Sequence, residues 1–463
     1  MNNDGVQAGG IVNSAATNVT ATGYVYSAKL YVHKYGEVSA DSEVDISSLV
    51  QFFTITEDLG LQEITVRLSI GDTNGYYNKY KITGDEKIKL TVTRKMPPKL
   101  TDGLSPLSET QEIKLDLRII EVQNLARARD GVLTYSFNCV TEHVHEANKL
   151  LLKRSFNGSI GTLVKNICTG DLKIPSDKLE IQTDGVNIIK GIYPRLKPRN
   201  AMNWLRKHSH DSQTPLFLYQ TSDGILHFKS YKKLLEDGKE NKEYFTYIYK
   251  PGVSAQDTQT FNEERELIRN LSSRSGSSKF IAVQEGAYAS SLQHIDISTK
   301  THTNTPFTHK GTGENKTLES QKPFSAQEKY EETLDSKTYY ISKNSMSFQT
   351  SDESSQNMHE DSSKSEVNSI LANLKSYQYV LSLAGDLDLQ VGQVINLNII
   401  GSSSNTNEEG ELNTGTFNKY ISGKYLVTNI LREFQDKFLQ KVTVVRDSTA
   451  VDIDVNDDSG ENS

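Results

Sequence analysis

Two His-x-His pairs, His143/His145 and His208/His210, are the residues of this 463-residue chain whose type and spacing come closest to chemistry, because neighbouring imidazoles can share a metal ion. Their setting argues against it. The first pair falls in a stretch from Thr141 to Arg154 that reads as a helix, where residues two apart point about 200° around the axis and the rings diverge. Both pairs therefore read as exposed or helix-capping histidines, with no metal and no cofactor expected. Arg195, Lys197, Arg199, Arg206 and Lys207 gather around the single Trp204, a composition that suits phosphates. The whole chain, however, carries 51 basic against 59 acidic residues, a net charge of -8, so this stretch reads as a solvated helix face with salt bridges to a partner. The acid pairs Glu57/Asp58 and Asp352/Glu353 are sequence neighbours that nothing holds at the separation paired-carboxylate catalysis needs.

Four common catalytic signatures are missing: GxSxG, GxxxxGK[ST], a GxGxxG that opens a helix after a strand, and HExxH. Cys139 and Cys168 are too few for a disulfide framework or a cysteine-based zinc site, and read as buried thiols. No catalytic, cofactor-binding or metal-binding residue is assigned, and the chain is not expected to be an enzyme. The first residues, MNNDGVQAGG, lack a secretory signal, and no apolar run approaches the ~20 residues that cross a bilayer. Neither secretion nor membrane insertion is expected.

The elements follow from periodicity. Ile64, Val66, Leu68 and Ile70 alternate with polar residues, as do Ile88, Leu90 and Val92, and Ile113, Leu115, Leu117 and Ile119. Turn clusters such as Gly71 to Gly75 and Thr83 to Asp85 separate them, so residues 25–134 predict a first antiparallel β-barrel. The period then changes. Ile160, Leu163, Val164, Ile167 and Cys168 recur at helical spacing, with Ser159 placed to cap and Gly170 to end the helix, and Pro198 opens a helix carrying Ala201, Trp204, Leu205 and His208. Residues 135–213 thus predict a small α/β domain.

Thr214 to Tyr231 reads as a hairpin about Ser222-Asp223-Gly224. It is assigned, with residues 214–243 and 376–450, to a second barrel. Residues 244–375 are expected as an inserted domain with a Ser-rich excursion over 300–365. Within that insertion, Thr260 and Glu263 stand at capping-box spacing, and Val367, Ile370, Leu371 and Leu374 form a helical stripe. Residues 1–24 read as a flexible arm, Gly401 to Gly415 as a polar loop and residues 451–463 as an acidic tail. The fold class is mainly β with α+β character.

Three pieces near the end, Gly385-Asp-Leu-Asp-Leu-Gln-Val-Gly-Gln-Val-Ile-Asn-Leu, Ser422-Gly-Lys-Tyr-Leu-Val-Thr-Asn-Ile and Val442-Thr-Val-Val-Arg-Asp, follow the barrel, the α/β segment and the hairpin in order. Leu387, Leu389 and Val391 alternate as if into a barrel interior, and Gly392 turns the chain. This layout resembles the central hub protein of contractile phage baseplates of the T-even type, related to the hub region of injection-machine spike proteins. The resemblance implies two tube-like domains per chain and a homotrimer that presents six similar units, so a threefold central spike meets a sixfold tail tube around a DNA ejection channel. It also implies tail tube or tube-initiator proteins, baseplate wedge proteins and a tape measure as partners, DNA only in transit, and a virion location after assembly in the host cytoplasm. Negative charge suits such a channel, because carboxylates do not hold passing phosphates. The hub of a related bacterial injection system or tailocin fits the same layout. A carbohydrate- or receptor-binding tail protein competes on the strength of 22 tyrosines, although no repeats are found, and a cell-wall hydrolase competes without visible catalytic groups.

Overall fold

The computed structural model describes residues 22–32, 42–84, 86–95, 110–127, 131–183, 188–208, 214–240, 245–250, 260–276, 279–297, 299–308, 317–319, 336–343, 355–356, 364–400, 417–418 and 421–448. The class is mainly β, as the periodicity predicts. The first strands are β1 (Val25–Val32), β2 (Ser42–Asp45), β3 (Val50–Asp58) and β4 (Thr65–Asp72); a short helix α1 (Tyr76–Tyr80) precedes β5 (Lys87–Lys95), β6 (Thr110–Arg127) and β7 (Leu133–Thr141). The alternating residues of β4, β5 and β6 named above are all buried on one face. The strand order β3-β4-β7-β6-β5-β1-β2 is antiparallel throughout. Its two ends are consecutive in the chain, joined by the 3-10 turn Ser47–Leu49, and the Tyr26 hydroxyl donates across that turn to the Ser47 carbonyl at 3.0 Å. The sheet therefore curls back on itself around its core.

A small α/β unit follows: α2 (Glu142–Asn148), β8 (Ser155–Ser159), α3 (Ile160–Asn166), β9 (Leu179–Gln182), β10 (Ile188–Ile192), α4 (Pro198–His208), β11 (Leu216–Gln220), β12 (Leu226–Ser230) and α5 (Tyr231–Glu240). Ser159 caps α3 by accepting from the Thr162 N–H, and Ala201 and Leu205 of α4 are fully buried. The Trp204 ring sits half-buried, edge-on to Phe156 at 6.2 Å. The hairpin β11–β12 turns at Gly224, φ 83°, as Asp-Gly favours. It pairs with β9 in a three-stranded sheet and not with the strands that follow it. Its two faces go to different cores: Leu216, Leu218, Leu226 and Phe228 face the α/β helices, Phe217 and Tyr219 the second strand module.

The chain continues through β13 (Thr246–Tyr249), α6 (Phe261–Glu266), β14 (Asn270–Gly276), α7 (Lys279–Gln284), β15 (Ala289–Asp296), β16 (Thr301–Thr308), β17 (Thr338–Lys343), β18 (Ser355–Gln356), α8 (Lys364–Ser376), β19 (Tyr377–Ala384), β20 (Val394–Ile399), β21 (Gly423–Phe434) and β22 (Phe438–Arg446). The Thr260/Glu263 capping box forms on α6, and Val367, Ile370 and Leu374 of α8 are buried. Strands β13 and β14, from the segment expected as an insertion, join the second module instead, in the order β13-β20-β21-β22-β19-β14. A bridge between Ile248 and Leu267, with the Ile268 N–H donating to the Ile248 carbonyl at 2.9 Å, brings the ends of that path together. Strands β15, β16 and β17 form a separate sheet.

Strand β21 also pairs with β3, from Asn429 opposite Asp58 to Phe434 opposite Phe53, and so fuses both modules into one 13-stranded sheet. Thr22 and Tyr24, inside the expected arm, are buried because the β21–β22 turn docks on them: the Phe438 N–H donates to the Thr22 carbonyl and the Tyr24 ring packs edge-on to Phe434 at 5.1 Å. Residues 1–21, 401–416 and 449–463 and most of the Ser-rich excursion lie outside the described residues. No helix among the described residues is long and apolar enough to cross a membrane.

Candidate functional site

The seam between the modules gathers charges that a core normally excludes. Arg432 of β21 and Glu57 of β3 are both fully buried and form an ion pair. Arg432 also donates to the Leu389 carbonyl at 2.5 Å, and the second Glu57 oxygen accepts from the Val391 N–H at 3.4 Å. One pair thus ties together both modules and the connection Gly385 to Gln393. Arg94 of β5, equally buried, donates to the Gly385 carbonyl and lies over the Phe261 and Phe438 rings, 5.1 and 5.9 Å from their centroids. Burial pushes its pKa down to about 10, against the pull of nearby Asp386. Asp386 in turn accepts from Arg265 at 2.8 Å and from Gln111 at 3.1 Å.

The connection itself reads as strand-like alternation, but its apolar residues divide between two cores: Leu387 enters the first module's, Leu389 and Val391 the second's. A side chain at Gly385 would collide with the Phe438 ring, and one at Gly392, φ 84°, would come within 2.6 Å of the Tyr219 hydroxyl. Phe53, Phe434 and Phe438 stack at 4.4 and 4.3 Å beneath these charges. The arrangement ties β3 and β21, and with them both modules, to the connection between Gly385 and Gln393.

Beside the seam, between β9, β11, β12 and α5 on one side and Phe245 with the connection Gln390 to Val394 on the other, lies a polar cleft of about 600 Å³. There the Thr221 hydroxyl is 2.8 Å from His227 Nε2, and His227 Nδ1 is 2.8 Å from Glu180. These are the spacings of a nucleophile, base and orienting acid. The surroundings do not support attack. Thr221 is fully buried and donates to Asp223 at 2.6 Å, while two of the turn's N–H groups are already spent: Gly224 donates to the Thr221 carbonyl and Ile225 to Asp223. Lys229 bridges Glu180 at 3.0 Å and Asp237 at 2.8 Å. Burial, then the Lys229 charge, holds the His227 pKa below the ordinary imidazole value.

The residues singled out in the sequence do not converge. His143 meets the Gln62 carbonyl at 3.1 Å and His145 meets Glu146 at 3.3 Å, so the two rings serve different neighbours. The His208 side chain and His210 lie outside the described residues, as do Asp352 and Glu353. Among the described residues no group of three or more potential metal ligands gathers. The basic stretch finds partners within the chain: Arg199 pairs with Glu63 of the first module at 2.5 Å, and Lys197 donates to Asn148 at 3.1 Å. Asp58 accepts from Asn429 across the seam at 3.0 Å. Cys139 and Cys168 are buried free thiols, and burial pushes Cys168 up to about 12. The seam residues Glu57, Arg94 and Arg432 escape a motif search, yet each falls on the inward parity of its strand: Arg94 after Ile88, Leu90 and Val92, Glu57 after Phe53 and Ile55, and Arg432 between Ile430 and Phe434.

No family model matches the sequence, and no curated protein matches it either. Among solved structures, the chain is similar to a tail protein from Neisseria meningitidis, with 10% identity and a TM-score of 0.49, covering 91% of this chain and 97% of that one. It is similar to a 43 kDa prophage tail protein from Shewanella oneidensis, with 11% identity and a TM-score of 0.45 over 92% and 100% of the two chains. A type VI secretion component of E. coli, described as structurally similar to bacteriophage tail proteins, is matched at 8% identity and a TM-score of 0.40 over 86% and 73%.

Proposed function

We propose that the chain is the structural hub of a contractile-tail baseplate. Three copies, each supplying two curled strand modules, build a ring of six similar units between a threefold central spike and a sixfold tail tube, around a channel for DNA. The observation that carries this reading is the β3–β21 ladder, which joins two modules of separate cores edge to edge within one polypeptide. A hub that reconciles two symmetries needs its modules at a set mutual rotation, since a ring closes only at one angle. The buried Glu57–Arg432 pair and the stacked phenylalanines supply that constraint. The net charge of -8 is compatible with a duct that does not retain nucleic acid.

Light scattering on the purified chain, with and without a co-expressed spike protein encoded beside it, tests the reading. In the presence of spike, the hub component is expected at three times its 51.8 kDa chain mass. A monomer under both conditions overturns the proposal.

A further inference from the structure

Strand β9 is the edge of the sheet ordered β11, β12, β9, and among the described residues no strand pairs with its outer side. All four of its residues are half-buried, as befits a strand open on one flank. The strand also divides two hollows. Glu180 and Gln182 face the polar cleft of about 600 Å³, whereas Leu179 and Ile181, with Thr183 beyond them, line a second hollow of about 400 Å³ beside α3. Period-two alternation puts these sets on opposite faces. A free edge flanked by hollows on both faces is the geometry that strand addition uses, with main-chain hydrogen bonds giving affinity and alternate side chains giving selectivity.

The chemistry of the two hollows differs. Glu180, Asp223 and Asp237 set three carboxylates against the one ammonium of Lys229 in the polar cleft. The buried Gln182 Oε1 there lacks a hydrogen-bond partner among the described residues. The opposite hollow has Leu179 and Ile181 on β9 facing a mostly polar wall of Ser159, Thr162, Lys165 and Ser176, with Gly161 packed closely against Ile181 and Thr183. The geometry points to β9 as the acceptor for an extended segment of a partner protein, which adds as a fourth strand with Lys or Arg directed toward Glu180 and Asp237 and small apolar side chains directed toward Leu179 and Ile181. A long basic side chain reaches the carboxylates while its stem packs along the strand. An open edge is otherwise an aggregation liability, and occupation by a partner removes it. This inference stands independently of the hub reading, since it concerns the open edge of β9 and not the ladder between the modules.

The test uses the full chain and three labelled octapeptides: alternating Lys-Val, alternating Glu-Val, and Lys-Val with every second amide N-methylated. Fluorescence anisotropy is expected to show binding of the first, little binding of the second, and loss of binding for the third. Asp237→Asn and Glu180→Gln, each made alone so that Lys229 keeps one of its two carboxylate partners, are each expected to weaken Lys-Val binding about tenfold, roughly 1.4 kcal/mol. Hydrogen exchange at residues 179–182 is expected to slow when peptide binds. Equal binding of the Lys-Val and Glu-Val peptides, indifference to N-methylation or to both substitutions, or no binding at all overturns the proposal.

Discussion

His227 sits among Glu180, Lys229, Asp223 and Asp237 with its ring stacked on Tyr219 at 4.9 Å, and burial together with Lys229 keeps its pKa low. His143 is held low as well, by burial and by the Arg199 charge against its hydrogen bond to Gln62. A histidine depressed in the folded state takes up a proton less readily than in the unfolded chain. Stability is therefore full above the unfolded value of ~6.5 and declines as pH falls below it. Thermal melting between pH 7.5 and 5 should accordingly show a falling transition temperature, with a shallower fall in His227→Gln; identical slopes would remove His227 from the account. Such residues were hard to see beforehand because nothing in a sequence distinguishes a histidine that packs from one that binds. The seam charges leave a trace in the sequence that a motif search passes over. Arg94, Glu57 and Arg432 each continue an apolar period-two run, and a charge in that phase must either be paired inside or mark a strand end.

At the level of elements, the long alternating strands β4, β5 and β6 were readable because one face is core and the other solvent. Strands β13 and β14 were not, being short pieces whose place depends on β20 and β19 from far along the chain. The Gly385 to Gln393 connection misled for a physical reason: its alternation serves two cores on either side of it, not one barrel interior. Its turn demands glycine twice over at Gly392, by a left-handed backbone and by the Tyr219 hydroxyl. Gly75, φ 66°, has only the backbone requirement, with nothing within 4 Å of an added Cβ. Gly75→Ala is thus expected to cost about 1 kcal/mol from backbone strain alone, and Gly392→Ala about 2–3 kcal/mol or more in urea unfolding. Equal losses at the two sites would mean that Tyr219 yields freely and does not brace the connection.

For the whole molecule, the decisive question is whether two modules behave as one body. Their ladder is only six residue pairs long, from Asn429 to Phe434 on β21, which is modest backbone adhesion for units this large. The remaining coupling comes from side chains that cross the seam: Phe434 and Phe438 in the first module's core, and Arg432 on Glu57. Replacing Arg432 by Met leaves Glu57 as a buried charge without its partner, a loss of about 3–5 kcal/mol. That loss falls at the seam and leaves each module's own core intact. Calorimetry should therefore show the wild-type chain unfolding with both modules in one transition and Arg432→Met splitting it in two. Arg432→Met combined with Glu57→Gln should largely restore the single transition, because no buried charge then remains unpaired. The same variants separate coupling from folding in assembly: with intact modules but a loosened seam, Arg432→Met should fail to form the threefold complex with spike, and the double variant should regain it. A single unshifted transition in Arg432→Met would show that the modules are held by their backbone ladder and aromatic contacts alone, and the buried pair would then have no part in setting their angle.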